Sequence, residues 1–156
     1  WPHSIPETTS AHRENPLTRI KDNFKILVMY QYQVPFSQAV RMAFDSYCRF
    51  QGRSSRSEYW WWVLFVAILS FCIGIIEGIL GFSMTAVQTT SGILSLVLFL
   101  PGLGLSVRRL HDIGKSGWWI LLGFIPVVGA IILIIWFARN SEMTENRYGP
   151  VPNMAR

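Results

Sequence analysis

Three long apolar blocks occupy most of the sequence after residue 59. They cover residues 60–82, 87–107 and 118–137, and a helix of about 20 residues rises far enough to cross a hydrocarbon core of about 30 Å. The hydrophobic fraction of 51% and the mean hydropathy of +0.31 are high for a chain of 156 residues that stays in water. The sequence therefore predicts an all-α, polytopic membrane protein with about three transmembrane helices.

Prolines interrupt the second and third blocks. Pro101 lies in the second block and Pro126 in the third, and each removes a backbone hydrogen bond from a helix that contains it. Membrane helices tolerate this loss where neighbouring groups or water satisfy the freed carbonyl. Kinked spanning helices are the first expectation, and re-entrant hairpins are the second.

The residues ahead of the first block divide into two parts. Residues 1–34 form a polar N-terminal extension, whose one apolar run, 24–30, is too short to span a membrane. Residues 36–50 carry apolar side chains at helical spacing and predict an amphipathic interfacial helix, although packing against the rest of the protein explains the same stripe. The membrane domain then covers residues 35–152, and residues 153–156 are a short tail.

The distribution of Lys and Arg predicts orientation. Basic residues precede the first block and return in the second link, whereas the first link has no charge. The N-terminal region and the second link should therefore share the positive-inside face. With three crossings the tail lies on the other side, and with a hairpin as the third block it returns to the basic side.

Location and partners follow from the same pattern. The net charge of +5 lies outside the apolar blocks, which favours anionic lipid headgroups and other membrane protein subunits as partners rather than nucleic acid. Because the chain opens with Trp1, an organelle inner membrane after loss of a targeting peptide is one expected location.

Charged residues at two chain segments are expected to form a layer at one interface that contacts lipid headgroups and pairs internally. A simple juxtamembrane anchor explains the same charges. The members of the predicted layer are Arg53, Arg56, Glu58, Arg108, Arg109, Asp112 and Lys115.

The first block contains a glycine pattern and one carboxylate. Gly74, Gly78 and Gly81 would allow another helix to approach closely. Glu77 is a functional candidate because ionisable groups are rare inside membranes. It lies roughly 27 Å of helix beyond Tyr59, however, where a carboxylate can reach water at the far interface.

Motifs for chemistry are weak in this sequence. Gly114-Lys115-Ser116 lacks the earlier glycine of a phosphate loop, because Arg109 stands there, and His111-Asp112 has no second ligand pair at useful spacing for a metal. We therefore expect no catalytic residue, metal or cofactor. The predicted function is a non-catalytic structural or accessory subunit of a larger membrane complex, with a small transporter or channel component as the alternative.

Four segments resemble the signature blocks of a known family. They are Phe50 to Trp61, Val107 to Trp119, Ile125-Pro126 and Glu145 to Pro150. In this order, between about residues 35 and 152, they resemble the bacterial inner-membrane family called domain of unknown function 805. The resemblance implies a multi-spanning membrane protein, and it implies no activity or cofactor.

Overall fold

The computed structural model describes residues 15, 17–22, 24 and 33–152. The chain divides into two compact units, Trp1–Tyr30 and Gln31–Arg156. In the first unit residues 17–22 are helical, and the Asn15 side chain accepts a hydrogen bond from the Leu17 amide at 3.0 Å. Most of the apolar run 24–30 lies outside the described residues. All further elements belong to the second unit.

Helix α1, Phe36–Asp45, is shorter than the predicted helix over residues 36–50. It ends in a turn at residues 46–48, because the chain must reverse here to reach the start of the next helix. Its apolar side packs on that next helix: Phe36 meets Trp61 edge-on, with ring centroids 5.8 Å apart, and Phe44 meets Trp62 at 5.3 Å. Packing against the protein thus accounts for much of the amphipathic stripe.

Helix α2, Arg56–Leu80, contains the first apolar block and has 25 residues, about 37 Å of helix. Its start is capped by the Ser55 hydroxyl, which accepts from the Glu58 amide at 3.3 Å. Its end is capped by Gly81 in the left-handed region, and the Phe82 amide donates back to the Glu77 carbonyl at 3.1 Å. Both caps satisfy backbone groups that a helix end leaves unpaired.

Helix α3, Met84–Asp112, runs for 29 residues through Pro101 without a break. Pro101 cannot donate to the carbonyl one turn earlier, which belongs to Val97. The Tyr47 hydroxyl donates to that carbonyl at 2.6 Å instead. A side chain from the turn after α1 therefore replaces the missing backbone donor. The block around Pro101 is one helix and not a hairpin, while the kink expected at Pro101 stays a prediction.

The third apolar block is not a single helix, so the prediction of a third spanning helix over 118–137 is corrected. A 3₁₀ helix, Gly117–Phe124, is followed by a reversal at residues 125–127 and by helix α4, Val128–Ala138. The two arms pack so closely that a Cβ on Gly129 would overlap the Leu122 carbonyl oxygen. The block is a hairpin, the second of the two expectations for Pro126.

Two apolar clusters hold the described helices of this unit together. One joins Ala43, Trp62, Leu98 and Leu105, and it connects α1 to both long helices. The other joins Leu110, Ile113, Leu133 and Phe137, and it fixes the hairpin to the end of α3. Tyr59 packs against both, near the end of the molecule where α2 begins and α3 ends.

Candidate functional site: a buried charge cluster

The start of α2 and the end of α3 bring buried charges together. The Ser54 amide donates to the Arg108 carbonyl at 3.1 Å, which joins the loop before α2 to the last turn of α3. Around this junction lie five buried charged residues, namely Arg53, Glu58, Arg108, Arg109 and Asp112. They all belong to the predicted interfacial layer.

Asp112 is the centre of this group. One carboxylate oxygen, Oδ1, accepts from Arg53 Nε at 3.1 Å and lies 3.0 Å from a terminal nitrogen of the same guanidinium. The other oxygen, Oδ2, pairs with the Arg109 guanidinium. Both ion pairs are inaccessible to solvent, and we call these three residues the arginine–aspartate cluster. Two buried cations on one buried carboxylate make each residue strongly dependent on the others.

Arg53 also binds the segment after the hairpin. Its terminal nitrogens donate to the carbonyls of Glu142 at 2.6 Å, Thr144 at 2.7 Å and Gly149 at 3.3 Å. Charge-assisted bonds to several carbonyls fix the path of a backbone that has little regular structure of its own. Arg53 therefore connects the loop before α2 with the C-terminal segment.

Arg109 performs the corresponding function for the hairpin. Its Nε donates to the Phe137 carbonyl at 3.1 Å, and a terminal nitrogen donates to the Arg139 carbonyl. These are carbonyls at the end of α4, which have no partner within the helix. The second arm of the hairpin is thereby held at the end of α3.

The C-terminal segment 142–149 completes the site. The Asn146 side-chain amide donates to the His111 carbonyl at 3.0 Å and to the Glu142 carboxylate at 2.7 Å. The Tyr148 ring stacks on His111 with centroids 3.8 Å apart, while His111 Nδ1 lies 3.2 Å from the Gly52 carbonyl oxygen. Segments distant in sequence thus meet at one end of the helices.

Gly114 sits where this segment approaches most closely. Its φ of +71° lies in the left-handed region, and a Cβ there would come within 2.6 Å of a Glu142 carboxylate oxygen. Any side chain would therefore be strained by the positive φ, and the Glu142 side chain would have to move.

Two members of the predicted layer lie outside the group of five buried charged residues. Arg56 is exposed and donates to the Asn140 side chain at 3.1 Å. Lys115 stands over the Trp136 ring, 4.3 Å from its centroid. Both attach the hairpin region to neighbouring segments, and neither makes a direct ion pair among the described residues.

The sequence analysis assigned no role to the C-terminal segment, although Glu145 to Pro150 was one of its recognised blocks. The partners of Arg53 there are backbone carbonyls, which any residue supplies. Only Asn146 and Tyr148 give a side-chain signal, through their contacts with His111.

Far from the cluster, Glu77 is buried with 6% of its surface exposed. Its Oε1 atom has no hydrogen-bond partner among the described residues. Glu77 lies close to the end of α2 at Leu80, and the expectation that its carboxylate reaches water at the far interface stays a prediction. A Cβ added to Gly74, Gly78 or Gly81 would meet nothing within 4 Å, so this predicted packing face is unoccupied by the described part of the chain.

The described residues contain no group of three or more His, Cys, Asp or Glu side chains placed to hold a metal ion. The arginine–aspartate cluster itself is rich in donors and its carboxylate is already paired. As arranged, its chemistry is to bind carbonyls and hold chain segments together.

Two helices long and apolar enough to cross a membrane, followed by an apolar hairpin, are consistent with an α-helical membrane protein. Residues 47–150 match the family described as "Protein of unknown function (DUF805)", and the chain belongs to that family. The expected resemblance is confirmed, with the match beginning about twelve residues later than residue 35.

Relatives in Escherichia coli (strain K12) carry the same assignment to a membrane. The chain is 37% identical to "Inner membrane protein YhaH" over 112 residues, which cover 70% of this chain and 91% of the relative. It is 40% identical to "Inner membrane protein YhaI" over 107 residues, which cover 69% and 88%. No solved structure matches the chain at a significant level. The relatives support a bacterial inner membrane and give no support to an organelle.

Proposed function

We propose that this chain is a multi-pass protein of a bacterial inner membrane that crosses the bilayer twice. Helices α2 and α3 have the length and apolar composition of spanning helices. In this proposal the third block is a re-entrant hairpin. Arg109 lies near the end of α3, just before the hairpin begins, and it contacts the carbonyls at the end of the second arm, α4. The hairpin therefore begins and ends at the same end of the long helices. The basic N-terminal loop, the second link and the C-terminal segment then share the cytoplasmic side.

In that membrane we propose a non-catalytic, structural or accessory role within a larger assembly of membrane protein subunits. The observation that carries this proposal is that α2 is hardly buried by the rest of the chain. Over its 18 most apolar consecutive residues, only 6% is buried. The glycine face of the same helix has open space around it. Close contact with a partner helix is what such a face favours, since small residues let backbones approach.

Extraction of the full chain in mild detergent, followed by identification of co-migrating proteins, tests this role. The informative variant is Gly74→Leu with Gly78→Leu, which fills the open face. A matched control is Ile75→Leu with Ile79→Leu, on the same two turns and also exposed. The proposal predicts that partners are lost from the glycine variant and kept by the control. Equal partner yield from both would refute docking through this face.

A small transporter or channel component is the second candidate, and the buried Glu77 is the observation that favours it. Buried carboxylates in membrane helices commonly mark ion or proton pathways. Reconstitution into liposomes with a pH-sensitive dye would measure proton flux, and this candidate predicts a flux that Glu77→Gln abolishes. A flux that is absent from the wild type, or unchanged in the variant, rejects it.

A further inference from the structure

Arg108 differs from the other two buried arginines at this end of the molecule. Arg53 and Arg109 each pair with Asp112 and donate to several carbonyls. Arg108 is only 7% exposed, yet its guanidinium makes no hydrogen bond to any described residue, and its Nε is fully buried without a partner. A guanidinium carries five N–H donors and keeps its charge, so burial without an acceptor is unfavourable.

Ser54 provides a second unpaired polar group at the same junction. Its side-chain oxygen is buried and has no partner among the described residues, while its amide donates to the Arg108 carbonyl. Two buried side-chain groups without acceptors therefore belong to residues that are joined through their backbones. Each can donate to an oxygen-rich ligand.

The surrounding charge favours an anion. Three buried arginines face two buried carboxylates at this end of the helices, which leaves one excess positive charge. The charges that act on Arg108 are the carboxylate of Glu58 and the guanidinium of Arg49. Arg49 lines a cavity of about 590 Å³ formed by residues 45–51.

Depth in the bilayer identifies the source of the anion. Arg108 lies near the end of α3, at the end of the molecule where α2 begins and where Trp60 and Trp61 of α2 are exposed. Tryptophans mark the headgroup level of a membrane. We propose that Arg108, with Ser54, binds the phosphate of an anionic lipid headgroup on the basic side of the membrane. Arg53 and Arg109 are not part of this site, since each is already paired with Asp112 and bound to backbone carbonyls.

The test uses the full chain in detergent, titrated with phosphatidylglycerol or phosphatidylcholine and followed by native mass spectrometry. Wild-type protein should retain phosphatidylglycerol in preference, and Arg108→Gln should weaken that binding by about tenfold or more, as expected for loss of a charge-assisted fork. The control Arg41→Gln removes an exposed arginine from a surface pair with Asp45 and should leave binding unchanged. Competition with inorganic phosphate separates the two sources: displacement shows that the phosphate group alone is recognised, and resistance shows that the whole lipid is required.

Two further variants keep the proposal testable if Arg108→Gln does not fold. Arg108→Lys retains the charge and loses the planar fork, and Ser54→Ala removes only the hydroxyl; each should weaken phosphatidylglycerol binding several-fold. Equal binding by the wild type and all folded variants would overturn the proposal. So would the finding that a co-purified protein, and no lipid, changes the stability of the wild type in an Arg108-dependent manner. The outcome is independent of the accessory role, because it requires no partner protein.

Discussion

Each carboxylate oxygen of Asp112 pairs with a different guanidinium, that of Arg53 in the loop before α2 and that of Arg109 in its own helix. Burial makes this sharing costly to disturb, because each cation would be left in a medium that solvates it poorly. The intact ion pairs therefore add little net stability, but breaking either one would destabilise the observed arrangement of the chain segments. The three chain segments that meet there depend on one side chain.

The change Asp112→Asn tests that dependence with little change in volume. Removing the charge leaves two buried arginines unpaired, and we expect a loss of about 3–5 kcal/mol in the free energy of unfolding. The control is Asp45→Asn, in an exposed pair with Arg41, where the loss should be about 1 kcal/mol or less. Denaturation in detergent measures both. Equal losses in the two variants would show that the cluster has no special weight.

Tyr47 and Pro101 make a second prediction at the residue scale. Tyr47→Phe removes the donor to the Val97 carbonyl and should cost about 1–3 kcal/mol of unfolding free energy, because that carbonyl is left unpaired. In a Pro101→Ala background the alanine amide can bond the same carbonyl within the helix. The same tyrosine change should then cost less. Identical costs in the two backgrounds, measured as a double-mutant cycle, would contradict the proposed exchange of donors.

At the scale of elements, the two prolines show what local sequence can and cannot predict. Both interrupt apolar blocks of similar length, yet α3 continues through Pro101 and the third block reverses next to Pro126. The difference arises from contacts that form in the folded chain: Tyr47, distant in sequence, satisfies the carbonyl freed by Pro101, whereas Gly129 permits the second arm to pack against the Leu122 carbonyl. Spacing within each block contains neither fact, so the sequence left both outcomes open.

Gly129→Ala tests the hairpin. Its Cβ would overlap the Leu122 carbonyl oxygen, so the arms must separate, and we expect a loss of about 3 kcal/mol in the free energy of unfolding, as for overpacking at a rigid contact. Gly123→Ala on the opposite arm is the control, since its Cβ would meet only Leu133 at 3.7 Å, an ordinary contact. Thermal unfolding in detergent compares the two. A Gly129 variant as stable as the Gly123 variant would show that the arms do not close as described.

At the scale of the whole molecule, the length of the apolar blocks was enough to predict that they are helical. The first two blocks correspond to α2 and α3. Charge was enough to predict that Arg53, Arg109 and Asp112 gather at one end. The sequence offered the return of the C-terminal segment to the basic end of the helices only as one of two alternatives. The reason is that Arg53 and Arg109 hold the chain after α4 through backbone carbonyls. Carbonyls have no sequence signature, so long-range contacts of this kind become visible only in the folded chain.

The central claim is that the chain crosses the membrane twice and that its C-terminal segment returns to the basic side. Single cysteines at Ser83, Ser116 and Glu145, in a background with Cys48→Ser and Cys72→Ser, can be labelled with a membrane-impermeant maleimide in vesicles of known orientation. The account predicts that positions 116 and 145 react from the same side and position 83 from the opposite side. Reaction of position 145 from the side of position 83 would mean a third crossing and would contradict it.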